Sequence, residues 1–226
     1  MENCSNGKAP IEKGDKFSEM QCPRNELERK EMERIPYALV VGSLNYVQTC
    51  TRPDISFVVG MLGRYQSNPR MDHWKAAKKV LRYLQGTKEH MLTYRRSEHL
   101  EVIGYSDSNY VGCIDSRKST FGYLFLLAGG AISWKSGKES VIATFTMEAE
   151  FVACYEATIH ALWLQNFISG LGIVNIIARP LRIYCGNYAA VFFSKNDKYS
   201  KGAKHMEIKY LRSKKKFRNV ECQLSI

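Results

Sequence analysis

Several features that would place this 226-residue chain quickly are missing from it. It has no long apolar run: the best stretch, GYLFLLAGGAISW at 122–134, is interrupted by glycines. That is short of the roughly 20 residues a membrane-spanning helix needs. It has no Cys-x-x-Cys pair. Its seven cysteines (Cys4, Cys22, Cys50, Cys113, Cys154, Cys185, Cys222) are odd in number and scattered, which argues against a zinc site or a disulfide framework and for reduced thiols. The opening MENCSNGKAPIEKGDKF lacks the apolar core of a secretory leader, so the expected location is cytoplasmic or nuclear, not secreted. No internal repeat or low-complexity tract is visible.

What is present is basic charge, unevenly placed. The formal net charge is +11. Residues 1–34 are nearly balanced, whereas residues 195–218 hold ten Lys or Arg against Asp197 and Glu207. Such a block suits a polyanion, with nucleic acid ahead of an acidic membrane because no anchor accompanies it. A solvated helix face is the plainer alternative.

The texture changes twice. Residues 1–35 carry Gly7, Pro10, Gly14 and Pro23 without sustained periodicity and are expected to form a flexible lead-in, with a charged helical turn at NELERKEMER. Residues 36–98 read as three short helices, YALVVGSLNYVQ, ISFVVGMLGRY and HWKAAKKVLRYLQ. The last has Asp72 as its expected N-cap and an apolar stripe of Trp74, Ala77, Leu81 and Leu84. Residues 99–226 turn β-rich. LEVIGYSD runs into a polar turn, SDSN; TFGYLFLLA and AISWKS follow, joined at Gly129-Gly130. A long helix comes next, with Phe151, Cys154, Ala157, Ala161, Leu164 and Ile168 as its apolar stripe. LRIYC, YAAVFFSK, HMEIKYLRSKKKF and VECQLSI complete the order β-β-β-α-β-α-α-β. That order predicts an α/β class and a mixed five-stranded sheet, an antiparallel meander that turns parallel through the long helix.

The acids matter most at the strand ends. Asp107 is expected to end the first strand. Glu148 and Glu150 open the long helix two residues apart, so only one faces the strand ends. A two-metal phosphodiesterase needs carboxylates converging from strand ends and a helix. The fourth strand should supply the next ligand at position 186, where the sequence has Gly186.

From about Ala9 to Ile226 the chain resembles the end of the Pol polyprotein of copia-type retrotransposons. IPYALVVGSLNYVQTCTRPDISFVVGMLGRYQSNP and HWKAAKKVLRYLQGT resemble the segment that follows the reverse-transcriptase palm. GYSDSNYVGCIDSRKSTFGY, ISWKS, TMEAEFVA, YCGNYAA and KHMEIKY resemble the family's ribonuclease H domain. The resemblance implies a ribonuclease H-like α/β fold at 99–226, a helical connection segment at 36–98, and hydrolysis of the RNA strand of RNA/DNA hybrids with Mg²⁺ or Mn²⁺. It assigns Asp107 and Glu150 as catalytic metal ligands and Glu148 as an accessory acid.

Two departures predict a defective or very weak enzyme. Gly186 stands where the family has the Asp of Cys-Asp-Asn, and the family's final ligand-bearing helix lies beyond VECQLSI. For nucleic acid the resemblance and the charge together nominate Lys118, Ser119, Lys135, Lys201, Lys204 and His205, with Thr120, Lys198 and Lys214–Lys216 behind them. The implied partners are RNA/DNA hybrid and an intact reverse transcriptase. The competing reading is a non-catalytic nucleic-acid-binding or protein-interaction remnant adopted by the host.

Overall fold

The computed structural model describes residues 7–12, 15, 17–97, 100–172, 181–195 and 220–224. The chain divides into two compact units, Met1–Leu92 and Thr93–Ile226, each with its own core.

The first unit is helical. Helix α1 (Glu26–Glu33) starts at Asn25, whose side chain accepts the Glu28 N–H at 2.9 Å, satisfying one of the free donors of a helix start. Helices α2 (Tyr37–Cys50), α3 (Ser56–Leu62) and α4 (Met71–Gly86) bury Tyr37, Val41, Leu44, Leu62, Ala77 and Val80 against one another, with Ile55 from the short turn before α3. The buried Tyr37 hydroxyl donates to the Leu62 carbonyl at 2.9 Å, so the core keeps no orphan there.

Two expectations shift in this unit, and a third is widened. Phe17 and Met32 are buried in the same core, so the end of the lead-in is packed instead of loose. Asp72 lies inside the first turn of α4; the cap position is Arg70, whose N–H is taken by His73 Nδ1 at 3.0 Å. The expected stripe of α4 does face the core, with Ala77 buried and Trp74, Leu81 and Leu84 packed against it, but His73, Ala76 and Val80 widen the buried face, the His73 ring stacking on Tyr65 at 4.3 Å.

Arg52 ties the helices of this unit together. It forks onto both carboxylate oxygens of Asp54 (3.0 and 2.7 Å) and reaches the Thr87 hydroxyl and carbonyl at 2.6 and 3.2 Å. Burial pushes Asp54 upward, but the guanidinium and the Tyr83 hydroxyl outweigh it and hold the carboxyl below its ordinary value. Arg52→Ala is expected to cost about 2 kcal/mol in denaturant unfolding, less than a fully buried pair because the edge of Asp54 is exposed.

The second unit is a mixed sheet with helices. Strands β1 (Val102–Cys113), β2 (Lys118–Leu127) and β3 (Gly130–Lys138) form an antiparallel meander. Helix α5 (Thr146–Gly170) then returns the chain to the other side of β1, where β4 (Leu181–Cys185) pairs parallel to it. Helix α6 (Tyr188–Lys195) follows, and Val220–Leu224 (β5) extends the sheet parallel to β4, giving the order β3-β2-β1-β4-β5.

The turn between β2 and β3 is Ala128-Gly129, both at positive φ, one residue before the Gly-Gly pair expected to make it. This is the backbone of a primed hairpin turn, which matches strand twist. All six stripe residues of α5 are buried, and they pack on Phe125, Ile183 and Cys185. Gly104 lets α5 and the strands close up, since a Cβ there would stand 2.7 Å from the Phe125 ring.

The first strand departs most from expectation. It does not stop at Asp107 but continues through SDSN to Cys113. Pairing with β2 holds from Val102 to Asn109, breaks, and resumes at Cys113 opposite Lys118. The slack residues form a bulge with Val111 at φ 52, a conformation that costs a β-branched residue free energy. The buried Ser119 hydroxyl accepts the Val111 N–H at 3.3 Å and holds the bulge in place.

Candidate functional site

The parallel pairing of β1 with β4 ends at Ser106 opposite Cys185, so Asp107 and Gly186 are the next residues on the two strands. Here the chain order reverses, with β2 and β3 on one side of β1 and β4 on the other. Crevices at such switch points, at the carboxyl ends of parallel strands, are where open α/β sheets bind ligands.

Alternation along β1 divides the work. Ser106 points inward, its hydroxyl 3.1 Å from the Cys154 thiol of α5. Asp107 points outward and is exposed, with one oxygen accepting the Ser108 N–H at 2.9 Å. Ser108 carries its hydroxyl to Glu139 Oε1 at 3.2 Å.

Glu150 reaches the same place from the second turn of α5. It is buried, and the Cys185 thiol donates to its Oε2 at 3.7 Å. Burial pushes its carboxyl up to about 8, helped by Cys185 and the charge of Asp107 and opposed by the Ser108 backbone. Cys185, which Glu150 contacts, pairs opposite Ser106, the residue before Asp107, so Glu150 lies at the end of the β1–β4 pair.

Glu148 belongs elsewhere. Its carboxylate takes both the Thr144 N–H (2.7 Å) and the Thr144 hydroxyl (2.8 Å), closing the entry to α5. Gly186 is exposed and contributes no side chain, while Asn187 accepts the Ala190 N–H at 3.1 Å and starts α6.

Glu139 is the residue that sequence reasoning missed. It follows β3 directly and donates its N–H to the Ser119 carbonyl at 2.9 Å. Its side chain is only 2% exposed, and its Oε2 has no hydrogen-bond partner. Burial pushes its carboxyl up to about 8; the Ser108 hydroxyl opposes this, while Glu150, Glu148 and Glu156 add to it. A glutamate between Lys138 and Ser140 carries no motif, and nothing in the spacing distinguished it from a solvated strand-end residue.

Among the described residues no three Asp, Glu, His or Cys side chains form a ready-made ion site. The basic candidates are dispersed. Lys118 donates to the Ser140 carbonyl at 2.7 Å, and exposed Lys135 lies over the Phe121 ring at 5.7 Å. Ser119 and Thr120 are buried, which corrects their expected place on a sugar or phosphate: the hydroxyl of Ser119 is committed to the bulge. Lys198, Lys201, Lys204, His205 and Lys214–Lys216 lie outside the described residues. Among the described residues no helix is long and apolar enough to cross a membrane.

No protein-family model matches the chain. The retrovirus-related Pol polyprotein from transposon TNT 1-94 of Nicotiana tabacum is 39% identical over 210 residues, covering 93% of this chain and 16% of that protein. The corresponding polyprotein from transposon RE2 of Arabidopsis thaliana is 35% identical over 174 residues, 77% of this chain and 12% of its own length. A protein of Plasmopara viticola named secreted RxLR effector protein 161 is 44% identical over 133 residues, 59% of this chain and 94% of that protein. The chain thus spans a small part of the polyproteins it matches.

Proposed function

This chain is a homologue of the retrovirus-related Pol polyproteins of copia-type transposons, and we propose that its β-rich unit is a ribonuclease H-like domain that binds RNA/DNA hybrids and hydrolyses their RNA strand only weakly. One observation carries this reading. Asp107 follows Ser106, the last β1 residue paired with β4, Glu150 of α5 meets Cys185 opposite it, and the next residue of β4 is Gly186.

Two carboxylates match the way a hard divalent cation is usually held, by one or two protein carboxylates together with substrate phosphate. Asp107 and Glu150 would hold it. When bound, such an ion neutralises charge on the phosphodiester being cut. The chain's own residues do the rest. Glu150, enclosed by α5 and β4, keeps its carboxyl shielded from water, and the Ser108 N–H orients Asp107. At Gly186 no side-chain carboxylate is available to fix a second ion, so attacking water and leaving oxygen are left poorly positioned. Basic side chains supply the hold on phosphate, Lys135 from the sheet and Lys201, Lys204 and His205 from the C-terminal block.

The test is a gel shift with the intact chain on an RNA/DNA hybrid, duplex DNA and single-stranded RNA. The hybrid is expected to bind tightest, with affinity falling as salt rises and unchanged by Asp107→Asn in EDTA. Folded protein that retards none of the three would remove this reading and favour a remnant with no nucleic-acid role.

A further inference from the structure

We propose that the face of the sheet turned away from α5 binds single-stranded nucleic acid, whose bases stack on Tyr105 and Tyr184. This goes beyond the hybrid reading, and the acids at the end of β1 play no part in it. Along β1 and β2 the side chains alternate between faces. Ser106 and Phe125 point toward α5, where Ser106 meets Cys154 and Phe125 joins the core. Their neighbours Tyr105 and Leu124 therefore point to the other face. Helix α6 lies on the α5 side as well, its Phe193 ring meeting Phe151 edge-on at 4.9 Å.

The register sets four large side chains in one row across the open face. Trp134 of β3 stands opposite Leu124 of β2, Leu124 opposite Tyr105 of β1, and Tyr105 opposite Tyr184 of β4. The two tyrosine rings stack at 5.4 Å with 27° between their planes. Tyr105 is 41% exposed although β1 is the central strand of five.

The surroundings of the row select its occupant. One step toward the end of β1 the face turns polar, with Asp107, Gly122 and Ser136; one step the other way Ile103 and Leu126 give way to Arg182, ion-paired with Glu101. The apolar surface is thus a narrow band of mostly aromatic rings with polar borders. Aromatic rings on an open sheet are a recurrent platform for unpaired bases, since every base has a face to stack. Cations stand at the polar end, where β2 begins and β3 ends: Arg117 and Lys138 are exposed, and Lys118 is half-buried. Asp107 and Asp115 are the acids there. In a chain of net charge +11 these three cations are placed to hold the phosphates of a strand whose bases lie on the row.

The experiment uses the intact chain in EDTA and a labelled oligouridine of about 12 nucleotides, within the usual span of such platforms. Binding is read by anisotropy, and stacking by quenching of a fluorescent purine analogue placed in the same oligonucleotide. Tyr105→Leu keeps apolar bulk and removes the ring; it is expected to weaken binding about tenfold and to abolish the quenching. Tyr105→Phe should bind within about twofold of the wild type, because the ring makes the stack. Trp163→Leu, which removes an exposed ring of α5 on the other side of the sheet, should leave both readouts unchanged.

Two results would overturn the proposal: a wild type that does not bind oligouridine, or a Tyr105→Leu protein that binds and quenches it as the wild type does. If that variant instead loses self-association in sedimentation, the face belongs to a second copy of the chain. A gel shift with the RNA/DNA hybrid on the same samples keeps the two claims apart. Oligouridine lost and hybrid retained in Tyr105→Leu supports a separate face and leaves the hybrid reading standing. A wild type that binds oligouridine through Tyr105 and ignores the hybrid keeps this inference and removes that reading.

Discussion

Gly186→Asp is expected to raise hybrid cleavage in Mg²⁺ by at least about a hundredfold over the wild type. The position follows Cys185, the last residue paired between β4 and β1, and so stands beside Asp107. A carboxylate there gives a second ion an oxygen to hold and fixes the geometry of attack. The substitution should also make the metal-free protein less stable, because it adds a like charge to a site where Glu139 and Glu150 already resist ionising. A folded Gly186→Asp protein that cleaves no faster than the wild type, with Asp107→Asn equally slow, would mean that the missing ligand is not what limits the chemistry.

The second large effect is on stability against pH. The folded-state values of Glu139 and Glu150 are both raised to about 8 from an ordinary 4.5. The folded protein therefore holds protons that the unfolded chain has already released. Stability is complete below about pH 4.5, declines as pH rises through the window up to about 8, and then levels off.

Glu139→Gln removes one of these groups. The variant is expected to be more stable than the wild type by about 2–4 kcal/mol at pH 9 and to match it near pH 4.5, with a shallower slope between. Denaturant unfolding in EDTA at pH 5, 7 and 9 reads this directly. Equal stability at pH 9 would show that Glu139 ionises freely and that its enclosure is looser than the buried geometry implies.

Much of the architecture was legible because periodicity and punctuation agree. The six-residue stripe of α5 is buried as its spacing required, and β4 and α6 fall where LRIYC and YAAVFFSK place them. The misses have physical causes. SDSN reads as a turn by composition, yet pairing with β2 carries the strand through it and moves the irregularity to a bulge at Val111. Asp72 reads as the cap of α4 because an aspartate is the ordinary cap, while in the folded chain the His73 ring takes the Arg70 N–H.

The site was half legible. Asp107 and Glu150 stand out by resemblance, and Gly186 by what it lacks. Glu139 did not, since its importance comes from burial and from the Ser108 hydroxyl, which only the folded chain brings together. Ser119 erred the other way: a hydroxyl in a motif resembling a ligand contact is folded into the hairpin.

The most direct test of the account is cleavage of an end-labelled RNA/DNA hybrid by the purified wild type and by Asp107→Asn, in Mg²⁺ and separately in Mn²⁺. The expected result is slow cleavage by the wild type, faster in Mn²⁺ than in Mg²⁺, and none by Asp107→Asn although it still binds the hybrid. Cleavage that survives Asp107→Asn unchanged would contradict the account, because the acids at the end of β1 and on α5 would then have no part in it.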